Sequence, residues 1–154
     1  MKDPVREQVL YLLRGGGAHI TFDDVISDFP ARLRGVKPPG APHTAWQLVE
    51  HMRIAQWDVL DFSVNPKYAA KAWPANYWPK TEKPPSPAAW KASIGAIKKD
   101  LSAVVKLVEN PKTDLYAKIP HGDGQNILRE ALLIADHNAY HLGQLMLLKR
   151  MLTV

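Results

Sequence analysis

No cysteine occurs in the 154 residues, so disulfides, thiolate nucleophiles, zinc ribbons and iron–sulfur ligation by this chain are excluded. Any transition metal must be held by His, Asp or Glu. Long apolar runs are also missing: none approaches the roughly 20 residues that span a bilayer, and no membrane partner is expected. The opening MKDPVREQVLYLLRGG breaks its apolar positions with charges and lacks a signal-peptide core, which points to a cytoplasmic address. There is no block of like charge either. The formal net charge is +5, yet Lys and Arg are scattered from Lys2 to Arg150. With no DNA-binding motif and no basic stripe, specific nucleic-acid binding is not expected, despite the basic balance and the five Trp. Internal repeats and strongly alternating β segments are absent as well.

What is present is an ordinary globular composition, 46% hydrophobic and 23% charged, in a length that suits one domain over residues 1–154. Apolar residues recur at the helical spacing of i, i+3 and i+4. A first helix is expected over Asp3 to Arg14, with Asp3 as cap, Pro4 at the first helical position and Gly15, Gly16 and Gly17 as the stop. A short piece from Thr21 to Phe29 follows, with Thr21 and Asp24 as a capping pair and Pro30 as its end. A second long helix spans about Thr44 to Phe62, where Thr44 and Gln47 have capping-box spacing. A third starts at Ser86-Pro87, carries the apolar stripe Trp90, Ile94, Ile97, Leu101, Val104 and Val108, and stops at Asn110-Pro111. A fourth runs from about Asn126 to Leu152. The fold class is therefore all-α, a four-helix bundle, whose topology the periods alone do not define.

Between the second and third long helices lies a Pro- and Trp-rich crossover, SVNPKYAAKAWPANYWPKTEKPP, carrying Tyr68, Trp73, Tyr77 and Trp78. So much aromatic area seeks burial, so an ordered loop packed on the bundle and roofing a pocket is expected.

Of the six histidines, only His137 and His141 stand at a chemically telling spacing. Four residues along a helix is ~40° of rotation and ~6 Å of rise, so both rings project from one face and can meet one ion. That face also carries Glu130, Ile134, Leu145 and Leu148, which turns it towards the core. His51 lies on the inward face of its own helix, with Leu48 and Ala55. Buried imidazoles need partners for their nitrogens, which either a shared divalent metal or ordinary core hydrogen bonds would supply. His19, His43 and His121 read as surface histidines. Asp58 and Glu130 share faces with the inward histidines but stand about two turns, or ~10 Å, away from them. They are either pocket groups or a polar rim of salt bridges. Glu50 and Asp136 adjoin the histidines in sequence and so point about 100° away.

The segments HTAWQLVEHMRIAQWDVLDF and LREALLIADHNAYHLGQLMLLKRML resemble the DinB-like (DinB/YfiT) proteins, as does the arrangement of the rest of the chain. These are four-helix bundles with one His on the second helix and an H-x-x-x-H pair on the last. The resemblance implies that His51, His137 and His141 are the ligands of a divalent ion, often zinc or nickel, in a metal-dependent enzyme. Characterised relatives include transferases and isomerases that use small thiols such as bacillithiol or mycothiol. It also implies a homodimer, since related bundles often pair.

A metal-dependent enzyme acting on a small molecule is thus the leading reading, with Asp58, Trp73, Trp78 and Glu130 as candidate pocket residues. No fourth protein ligand stands at an obvious spacing, which fits an open site. Since the chain lacks cysteine, a reacting thiol would have to come from a cosubstrate. Nothing in the residues chooses between thiol transfer and hydrolysis. The alternative is a binding or regulatory bundle whose metal is structural.

Overall fold

Among the described residues, every α-helix begins at a side chain that replaces a missing backbone partner. The computed structural model describes residues 3–15 and 17–153. The Asp3 carboxylate accepts from the amides of Val5 and Arg6 and opens α1 (Pro4–Leu13). Gly15 follows at φ +80°, a conformation that favours glycine, while Gly16 lies outside the described residues. Thr21 and Asp24 form a capping box at the start of α2 (Phe22–Ile26). This helix ends earlier than its pattern implies. Pro30 disfavours helical geometry at Phe29, and Phe29 turns into the core instead. A short 3₁₀ turn (Ala31–Leu33) leads to the Thr44–Gln47 capping box and α3 (Ala45–Val64). Ser86 caps α4 (Pro87–Glu109) through the Ala89 amide, and Asn126 caps α5 (Ile127–Leu152) through the Arg129 amide.

The four longer helices take the corners of a bundle. Both α3 and α1 pack against α4 and against α5, so α1 and α3 stand at opposite corners. Glu50 meets Ser93 and Gln56 meets the Ile97 carbonyl, so α3 and α4 run in the same direction. By contrast, Trp46 shares a cluster with Leu145 and Leu148, while Leu60 packs with Ile127 and Ala131, so α5 runs opposite to α3. A parallel pair cannot be joined by a tight turn. The chain must first travel back the ~30 Å length of a 20-residue helix. Residues 65–86 make that journey without helix or strand.

The apolar core is divided in two. One cluster gathers Phe29, Trp46, Val49, Met52, Trp90 and Leu145. The other gathers Val9, Leu13, Val104, Val108, Leu115 and Ile134. Along α3 and α5 the intervening turns carry polar groups. Gln56 donates to the Ile97 carbonyl (2.7 Å) and accepts from the Asn138 amide (2.8 Å), tying three helices together in a buried layer. The histidines lie at this level. Among the described residues, no helix is long and apolar enough to cross a membrane.

Candidate metal centre

The antiparallel packing of α3 and α5 brings His51 against the face that carries His137 and His141. His51 is only 2% exposed, His141 is buried and His137 half-buried. The Nε2 atoms of His51 and His137 are 3.1 Å apart. One ligand nitrogen from each of the three rings lies within 4.8 Å of the other two. The sequence expectation that these three residues converge matches the geometry.

The second ring nitrogens explain the orientation. His51 Nδ1–H donates to the Tyr77 backbone carbonyl at 2.8 Å, and His141 Nδ1–H donates to Gln144 Oε1 at 2.8 Å. A carbonyl oxygen only accepts, so each Nδ1 carries the proton and each Nε2 keeps its lone pair for the centre. At the 3.1 Å between His51 Nε2 and His137 Nε2, a proton carried by His137 or a cation belongs between the two nitrogens. Partners of this kind orient histidine ligands in metal sites generally. Burial holds all three imidazoles below the ordinary histidine pKa, with neighbouring rings adding to the effect, and His137 is lowered to about 4. They are therefore neutral near pH 7, the state that binds metal. The three-histidine cluster could hold a divalent ion, and it contains no carboxylate.

The crossover builds the wall beside this cluster. Trp78 stacks on His51 at 3.9 Å with the ring planes nearly parallel, and His43 stacks on the other side of Trp78 at 3.9 Å. His43 is thus not the free surface histidine that its loop position implied: it is half-buried against a ring 35 residues away, a contact with no local signature. The Asp58 carboxylate accepts from the hydroxyls of Tyr68 (3.1 Å) and Tyr77 (2.5 Å) and pairs with Lys71 Nζ (2.9 Å). It clamps the crossover to α3, and through Tyr77 it reaches the carbonyl that holds His51.

A cavity of about 670 Å³ extends from His137 along α5 and is lined by Asp58, Trp73, Tyr77 and Glu130, among others. Asp58, although on its wall, is fully engaged by the crossover. Trp73 is 71% exposed and stands at the rim, edge-on to Tyr77. Trp78 belongs to the histidine stack and is not among the residues lining this cavity. Glu130 is buried in the wall, and that burial pushes its carboxyl pKa up. Glu50 turns away from the cluster to Arg53 and Ser93, and Asp136 is exposed.

Three participants escaped the sequence reading. Gln144 stands three residues after His141, a spacing that could have announced it. The Tyr77 carbonyl and the Gln56–Asn138 pair are contacts between distant segments and have no such signal.

The family comparison agrees with this architecture. The family model for the DinB superfamily matches residues 18–145, taking in α2, the crossover and all three histidines and leaving α1 outside. No curated protein and no solved structure matches the chain significantly. A match over most of the chain, on a bundle with the three-histidine cluster in place, makes this chain a member of the DinB superfamily.

Proposed function

We propose that the chain is a metal-dependent enzyme acting on a small molecule, with a divalent ion, zinc or nickel, held by Nε2 of His51, His137 and His141. The observation that carries this reading is the pair of Nδ1–H anchors, Tyr77 O and Gln144 Oε1, which leave ligand lone pairs turned inward before any ion arrives. Three imidazoles without a carboxylate leave coordination positions for water or substrate, as in catalytic rather than structural zinc sites. A divalent ion there supplies Lewis acidity, polarising a substrate oxygen or lowering the pKa of a water or small thiol. The residues around it supply the rest: Trp78 shields one face of His51, and the cavity beside His137 offers room for a substrate. Thiol transfer and hydrolysis both fit this arrangement, and the absence of cysteine assigns any reacting thiol to the substrate side. A structural metal is the second reading, supported by the position of the cluster between two apolar cores.

Self-association as a homodimer belongs to the same proposal. Leu133, Tyr140, Leu147 and Met151 form an exposed apolar stripe along α5. Specific nucleic-acid binding does not belong to it, since the basic residues remain dispersed.

Metal content of untagged protein tests the core of the proposal. About one divalent ion per chain is expected for the native protein. His137→Ala and His141→Ala should each lower occupancy strongly, with helicity near that of the native chain. Full occupancy in the double variant would remove the site.

A further inference from the structure

Glu130 is a buried acid with no hydrogen-bond partner among the described residues and one long ion pair. It is 5% exposed, on the inward face of α5, and lines the same cavity as His137. Among the described residues no hydrogen bond reaches its carboxylate. Its nearest cation is Arg129 Nε at 4.0 Å, beyond hydrogen-bond reach and on a side chain that is 64% exposed. A place in the first turn of a helix favours an acidic residue, but it does so equally well at the surface and does not account for burial. A buried carboxylate is costly unless something charged or donating meets it.

Arg129, which also lines the cavity, meets the Glu130 carboxylate only at ion-pair range and donates no hydrogen bond to it. Asp58 already holds Lys71, Tyr68 and Tyr77. Asp123 is another acid on the lining, and it is exposed. Gln125, also on the wall, keeps its Oε1 buried with no donor. The cavity is therefore rich in acceptors within a chain of net charge +5. Its walls include the rings of Phe62, Tyr68 and Trp73, which favour a cation over an anion.

We propose that Glu130 is the recognition site for a primary ammonium group on the small molecule that this cavity takes. Glu130 and His137 are seven residues apart on one helix, so the ammonium nitrogen sits about 10 Å from the part of the ligand beside the histidines. An ammonium brings N–H donors into hydrogen-bond reach of a carboxylate that Arg129 meets only at 4.0 Å. The identification of the cavity as the substrate site rests on the metal-enzyme reading above, whereas the Glu130–ammonium contact does not depend on it.

Two probes separate these claims. n-Octylammonium and 1-octanol, matched in length and differing in charge, are titrated calorimetrically into chelator-treated and zinc-loaded full-length protein. The ammonium should bind the native protein at least about tenfold more tightly than the alcohol in both states. That preference should fall to within about twofold in Glu130→Gln and persist in Asp123→Asn. Equal binding of the two probes by native protein overturns the proposal, as does a preference that survives Glu130→Gln or disappears in Asp123→Asn. Since native protein alone can decide, a misfolded variant does not rescue the idea. 8-Aminooctanethiol then tests the reading beneath it: zinc-loaded protein should bind this thiol more tightly than octylammonium, and chelated protein should not. If the ammonium preference holds while the thiol gains nothing from zinc, the metal-enzyme reading fails and the Glu130 assignment stands.

Discussion

His51 depends on a group 26 residues away. Its Nδ1–H rests on the Tyr77 carbonyl, and the Tyr77 hydroxyl rests on Asp58. Tyr77→Phe cuts the tie to Asp58 without touching a ligand. Metal affinity should fall by about tenfold, the lower end for the loss of an orienting partner, while far-ultraviolet dichroism stays unchanged. Competition with a chromophoric chelator reads this directly, and an unchanged dissociation constant would show that the crossover holds its carbonyl in place without Asp58. His137 makes a second prediction, for metal-free protein. Its folded pKa of about 4 lies below the ordinary value of 6.5, so between these limits the unfolded chain takes up the proton first. Its contribution is complete above pH 6.5 and is lost as pH falls towards 4. Each full proton of difference is worth at most about 1.4 kcal/mol per pH unit, and less here because a half-buried ring is partly screened. Urea denaturation at pH 6.5 and 5 should show native protein losing more stability than His137→Gln.

Between helices the decisive contacts are the polar ones. Gln56 bridges the Ile97 carbonyl on α4 and the Asn138 amide on α5 in a layer that separates two apolar clusters. Gln56→Leu keeps the volume but strands the Asn138 amide, at a cost of about 1–3 kcal/mol. The denaturation midpoint should drop with the slope unchanged, and adding Asn138→Leu should recover part of the loss, whereas strictly additive losses would mean the pair is not coupled. How much of the fold could be read beforehand follows the same division between local and distant causes. The caps at Asp3, Thr21, Thr44, Ser86 and Asn126 act within three residues, so the helix starts were legible. So were the convergence of His51, His137 and His141 and the burial of Glu130, because helical spacing sets the face on which each side chain emerges. The parallel course of α3 and α4, the His43–Trp78 stack and the engagement of Asp58 by two tyrosines were not legible. Each joins residues from separate segments through packing that no local pattern encodes.

For the molecule as a whole, the first open question is assembly. The stripe of Leu133, Tyr140, Leu147 and Met151 recurs at intervals of seven, seven and four along α5, which keeps the four side chains on one exposed face. Sedimentation at tens of micromolar should give twice the 17.2 kDa chain mass, and Leu147→Glu should shift the protein towards the single chain without changing its helicity. A native protein that sediments as one chain would leave the stripe as plain surface. The other consequence comes from the parallel pair. Because α3 and α4 cannot form as a hairpin, and because His51 and His137 are 86 residues apart, no pair of helices adjacent in sequence contains the three-histidine cluster. It exists only after α3 has docked on α5 and the crossover has delivered the Tyr77 carbonyl. Such long-range closure slows folding relative to a simple up-and-down bundle. It also makes metal uptake in a refolding experiment a late signal: chelator-resistant ion should appear after helicity has recovered, timing the last step of assembly rather than the first.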